Sequence, residues 1–158
     1  MCEYCGCQEV PALGELTREH DRVVDLIGDV RTAHRDGDVE RMAHLAHRIA
    51  DLLAPHTVVE EEGLFPPLEG DFPEQMAELR GEHRTLEAVV SETCVAASWD
   101  EAWATRLLSA LDLLRWHILK EQDGVFPAAL ATLRTADWEA VDAVRDRVGS
   151  KLPHPAAM

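Results

Sequence analysis

Two histidine–glutamate pairs carry the chemistry that this sequence could do. His56 and Glu60 are four residues apart, and so are His117 and Glu121. On a helix that spacing puts both side chains on one face, about 6 Å apart along the axis. A pair so placed can give an imidazole nitrogen to one metal ion and a carboxylate bridge to its neighbour. Each pair opens an eleven-residue phrase that occurs twice, from His56 to Pro66 and from His117 to Pro127. Both copies read His-x3-Glu-(Glu/Gln)-acid-Gly-aliphatic-Phe-Pro. A second phrase repeats ahead of each copy: Arg18-Glu19-His20-Asp21-Arg22 is answered by Gly81-Glu82-His83-Arg84-Thr85. The chain reads as two helical hairpins, each with one lone histidine followed by one His-x3-Glu pair.

Hydrophobic spacing supplies the helices that must position these residues. The first is expected from near Leu13 to just before Asp36-Gly37-Asp38, with Leu13, Leu16, Val23, Ile27 and Val30 as its stripe and His20 filling the vacancy. The second is expected from Val39 to Glu62, ending at Gly63. Met42, Ala46, Ile49 and Leu53 lead there into His56 and Glu60, with a kink expected at Pro55. The third begins at Asp71-x-Pro73-Glu74 and runs to about Ala97, with Met76, Leu79, His83, Leu86, Val90, Cys94 and Ala97 inward and Glu87 at the margin. Cys94 reads as a small core residue. The fourth starts from a Ser98-x-x-Glu101 capping box and ends at Gly124, with Trp103, Leu107, Ala110, Leu114, His117 and Glu121 inward. A shorter helix from Thr135 to Val148 should pack outside the bundle. Residues 151–158 read as a loose tail, and residues 1–12 as a cysteine-rich one. No alternating pattern suggests a strand. The fold class is therefore all-α: a four-helix bundle of two hairpins with a short extra C-terminal helix.

A lone histidine on an apolar stripe is more often a hydrogen-bonded core residue than a ligand. Here the number decides, because four histidines and two glutamates fall on the inward seams of four helices. A buried carboxylate costs several kcal/mol without a compensating partner. No Lys or Arg lies on those stripes, whereas a metal cation would compensate directly. Without it, Glu60 and Glu121 should titrate above their ordinary range. Imidazoles with bridging carboxylates suit iron, with manganese and zinc as competitors. Two such ions about 3.5–4 Å apart can share both carboxylates. His34, His44, His47 and His154 read as ordinary surface histidines. Glu61, Glu62 and Asp123 read as solvated acids, although Glu61 or Gln122 could orient a ligand. Glu19 and Glu82 are either outer partners of the ligands or exposed.

With 30 acidic and 15 basic residues among 158, the net charge is −15 and nucleic acid or an anionic membrane would be repelled. The start of the chain lacks the basic and apolar regions of a signal peptide, and no apolar run approaches membrane-spanning length, so a cytoplasmic location is expected. In that compartment Cys2, Cys5 and Cys7 form either a metal or redox cluster or an unstructured tail with incidental thiols. No room is expected for a further signalling domain.

The order His…His-x3-Glu…His…His-x3-Glu, with Gly-x-Phe-Pro after each pair, resembles the hemerythrin-like (HHE cation-binding) family over about residues 13–130. The resemblance implies an up-down-up-down four-helix bundle with a non-haem di-iron centre, oxo- or hydroxo-bridged and carboxylate-bridged. In it His20 and His56 would hold one iron, His83 and His117 the other, and Glu60 and Glu121 would bridge them. Oxygen-carrying members have a fifth histidine where Glu87 stands, and His-x4-Asp in the fourth helix. The pattern here is thus closer to bacterial hemerythrin-like proteins, with Glu87 as a candidate seventh ligand. An iron held by His20 and His56 would have the open position, since Val24 supplies no ligand. The resemblance implies chemistry on peroxide, nitric oxide or oxygen, including a catalase-like or nitric-oxide-processing activity. Reversible oxygen carriage and iron handling or iron-centre repair are the alternatives.

Overall fold

The computed structural model describes residues 10–95 and 99–153. Cys2, Cys5, Cys7, Ala97, Ser98 and His154 lie outside the described residues. Among those described, no strand occurs, and no helix is long and apolar enough to cross a membrane.

Helix α1 spans Pro11–Arg35, starting two residues before the expected Leu13. Pro11 suits the first turn, where its missing N–H would have no intrahelical partner. The turn that follows uses Gly37 at φ 70°, and the Asp38 side chain accepts from the Arg41 N–H at 3.0 Å to open α2, Val39–Val58. Pro55 is buried inside α2 and does not end it. Helix α3 spans Pro73–Val95, and α4 spans Glu101–Lys120. The cap of α4 is Asp100, which accepts from the Trp103 N–H at 2.8 Å. Glu101 is thus the first helical residue and not the third of a box built on Ser98.

Both glycine stops expected after the His-x3-Glu pairs are corrected. From Val59 to Leu64 and from Glu121 to Val125 the chain continues as π-helical turns. A 3₁₀ turn, Pro66–Leu68, follows the first, and α5, Phe126–Thr132, follows the second without a break. In each turn the phenylalanine N–H reaches back five residues, Phe65 to Glu60 O at 2.8 Å and Phe126 to Glu121 O. The proline after each has no N–H to continue the ladder. The Glu61 carbonyl accepts instead from Arg80 at 3.1 Å. Gly63 serves a different purpose from ending a helix. A Cβ there would lie 3.1 Å from Val141 Cα, so its bareness admits α6, Thr135–Val148.

The apolar interior is divided into two clusters. One holds Leu16, Val59, Leu79 and Val125, and the other holds Val23, Leu52, Leu86 and Leu114. On each long helix a histidine lies between a residue of one cluster and a residue of the other. The four histidines therefore share one layer between two apolar slabs. Helix α1 packs on α2, α2 on α3, α3 on α4 and α4 on α1, closing the bundle around that layer.

Three further expectations change. Cys94 is exposed, because Thr93 takes the inward position and accepts from the Trp103 indole N–H at 3.0 Å. Helix α6 does more than lie against the outside: Val141 is fully buried in the cluster that contains Leu64, Phe65 and Phe126. Leu152 packs against the other cluster, so residues 151–153 are not a free tail.

Candidate metal centre

The layer brings six of the seven expected ligands together. His20, His56, Glu60 and Glu121 each offer an atom within 4.8 Å of the others, and so do Glu60, His83 and His117. All six side chains are buried. The His20 and His56 rings sit 4.6 Å apart, tilted by 53°, and the His83 and His117 rings sit 4.6 Å apart, tilted by 50°. The two halves are near copies, as the repeated phrases require. Glu60 Oε1 lies 3.1 Å from His56 Nε2 and 3.4 Å from His83 Nε2. Glu121 Oε1 lies 3.3 Å from His20 Nε2 and 3.0 Å from His117 Nε2. Each carboxylate therefore touches one imidazole of each pair.

Glu87 is not drawn in. Leu86 takes the inward position on α3, and Glu87 is exposed, 3.5 Å from Arg84. It stands on the rim of a cavity of about 300 Å³ that opens between α2 and α3 beside the layer. Ala50, Leu53, Leu86, Val90 and Leu114 form the apolar walls of this cavity, and all four imidazoles reach it.

Every imidazole is held from behind by an oxygen on its Nδ1, which turns Nε2 to the centre. His56 donates to Glu19 at 3.1 Å and His117 to Glu82 at 2.9 Å. His83 donates to Glu61 and His20 to Gln122, both at 2.8 Å. The pattern follows the repeats. The residue before each lone histidine backs the next histidine in the chain, and the residue after each buried glutamate of the layer backs a lone one. Glu61, read as a solvated acid that could orient a ligand, is part-buried and holds the His83 ring. The Phe65 and Phe126 rings stack on His83 and His20 at 5.9 and 5.6 Å. That role was latent in the repeated Phe-Pro. Arg145, Ser150, Lys120 and Arg84 also reach the backing carboxylates. Nothing in the helical periodicity marks them, because each contact crosses between elements.

Burial opposes ionisation, but the charge of Glu60 and the bond to Glu19 raise His56 to about 10. His117, against the same opposition, is raised to about 9 by Glu121. His83 is also raised, by Glu60. Glu60 is held well below its ordinary range because His56 outweighs the burial that would raise it, contrary to the upward shift expected from the sequence. Glu19 is held at about 2, burial again being overcome by His56 and Arg145.

The fit to a metal rests on polar atoms left without hydrogen bonds. His20 Nε2, His117 Nε2 and both oxygens of Glu60 and Glu121 are buried and have no hydrogen-bond partner. Their approaches of 3.0–3.4 Å have ion-pair distance without hydrogen-bond geometry. Such groups are rare in folded proteins, and converging nitrogen and oxygen donors are what a divalent or trivalent cation takes.

An all-helical bundle with a buried histidine–carboxylate layer of this kind defines a metal-binding protein of the non-haem, four-helix class. Residues 12–129 match the model of the hemerythrin HHE cation-binding domain, and the chain belongs to that family. No curated protein and no solved structure matches it.

Proposed function

We propose that this protein binds two iron ions at His20, His56, Glu60, His83, His117 and Glu121, and reacts with a small ligand, peroxide or nitric oxide in preference to oxygen. On this reading His20 and His56 serve one ion, His83 and His117 the other, and the two glutamates serve both. The observation that carries it is the set of buried, unpartnered donor atoms at the meeting point of the two halves. Successive helices cross from one apolar slab to the other in opposite senses, which supports the up-down-up-down order.

Iron would supply one-electron redox changes and coordination positions open to a small ligand. The chain supplies the rest. The backing oxygens fix the imidazole orientations. The apolar slabs keep bulk water from the layer, and the cavity between α2 and α3 admits a small neutral molecule. Glu87 meets such a molecule at the rim and stays outside the proposed ligand set.

Mixing the reduced, iron-loaded protein with peroxide, nitric oxide and oxygen in turn, under stopped-flow absorption, tests the reading. The expected result is fast oxidation by peroxide or a nitric oxide adduct, and irreversible oxidation in air. A long-lived oxygen complex that releases oxygen under vacuum would make the protein a carrier.

A further inference from the structure

We propose that the C-terminal helix is a positioning device for one half of the metal centre, with Arg145 and Ser150 acting through Glu19 to fix the imidazole of His56. The inference rests on the metal-centre reading above and concerns residues beyond the family match, which ends at residue 129.

Glu19 is 1% exposed and takes four donors. Arg145 donates Nη2 to Oε1 at 2.6 Å and Nη1 to Oε2 at 3.1 Å. Ser150 Oγ donates to Oε2 at 2.8 Å, and His56 Nδ1 donates to Oε1 at 3.1 Å. Arg145 is itself held by the Gly149 carbonyl at 3.0 Å and lies 3.6 Å from Glu15. The backing groups of the other imidazoles are anchored more weakly. Glu82 has the single ammonium of Lys120, whose side chain is 39% exposed. Arg84, which pairs with Glu61, has a side chain that is 57% exposed. Gln122 is neutral and, besides His20, has only the Thr17 hydroxyl among the described residues, at 3.3 Å.

A bidentate guanidinium fixes a carboxylate in plane and rotation, as a lone ammonium cannot. A carboxylate so fixed leaves the imidazole one ring orientation and raises its basicity as a ligand. Helix α6 is in turn registered to the turn that carries Glu60, through Val141 against Gly63. Arg145, His56 and Glu60 are thereby set as one unit.

The test uses the full chain with cobalt(II) as the probe metal. Two readouts are taken: stepwise titration by visible absorption, and the imidazole N–H resonances of the metal-free protein. In Arg145→Ala one of two cobalt steps should weaken about 10–100-fold while the other holds. The His56 Nδ1–H resonance should shift or exchange faster, with those of His83 and His117 unmoved. Arg145→Lys should recover part of the loss, and Ser150→Ala should give the same pattern at smaller size. Val144→Ala trims the packing of α6 on the apolar cluster without removing a donor, so it should lower the melting temperature and leave both steps in place. Equal weakening of both steps, or an Arg145→Ala variant that only melts earlier, would overturn the proposal. If the native chain takes up no cobalt, the metal-centre reading fails. The His56 resonance then decides the clamp alone, and no change in Arg145→Ala overturns it.

Discussion

At the scale of single side chains, the metal-free layer carries its own counter-ions: His56 and His117 keep their protons to about 10 and about 9. A folded-state pKa raised above the ordinary 6.5 gives stability that is complete below 6.5 and is lost as pH rises through 9 to 10. The metal-free protein should therefore melt progressively earlier from pH 7 to pH 10, while the metal-loaded protein, whose imidazoles hold a cation in place of protons, should not. Melting curves with and without chelator across that range check this. Glu19 has the opposite sign: its contribution is present above 4.5 and disappears as pH falls toward 2. Ligand identity is tested by charge removal. Glu60→Gln should weaken metal retention at least tenfold, whereas Glu87→Gln should retain the full metal content; loss of metal from Glu87→Gln would return that residue to the ligand set. The six buried residues of the layer were legible because each had to sit on an apolar stripe, where an uncompensated polar group is costly. The backing contacts were not, since Glu19 meets His56 and Glu82 meets His117 only once separate helices are packed.

At the scale of elements, the two copies of the phrase fold alike as far as the π-turns and then diverge. Such turns recur at functional sites, and here each lets consecutive residues reach the layer: Glu60 and Glu61 in one, Glu121 and Gln122 in the other. Read as glycine stops, Gly63 and Gly124 were indistinguishable, because sequence spacing does not say what approaches a helix from outside. The structure separates them. Gly63→Ala should destabilise by about 1–3 kcal/mol, since its Cβ would press on the α6 backbone. Gly124→Ala meets nothing within 4 Å and has no positive φ, so it should be neutral or stabilise by up to about 1 kcal/mol. Denaturant midpoints of the two variants decide. If they move together, the approach of α6 to Gly63 is not a stabilising contact.

Across the whole molecule, the polar layer between two apolar slabs is where the two hairpins meet. Glu60, on the π-turn after α2, reaches His83 of α3, and Glu121, on the π-turn after α4, reaches His20 of α1, so both carboxylates join the two hairpins. A metal bound there stabilises the folded state by mass action, about 4 kcal/mol at a thousandfold excess over its dissociation constant. Chelation should accordingly lower the melting temperature by many degrees and speed amide exchange in all four long helices together. Exchange that rises in one hairpin alone would place the metal within that hairpin. The bundle was legible because four stripes of one period had to close on one another. The role of α6 was not, because its decisive residue, Arg145, lies on no stripe and meets a glutamate 126 positions away. The central claim, two irons held between four imidazoles and two carboxylates, is tested most directly by measuring iron per chain, together with near-ultraviolet absorption, in protein from iron-replete cells. Two irons per chain with a bridged ferric band is the predicted result. A single metal per chain, or zinc without iron, would contradict it.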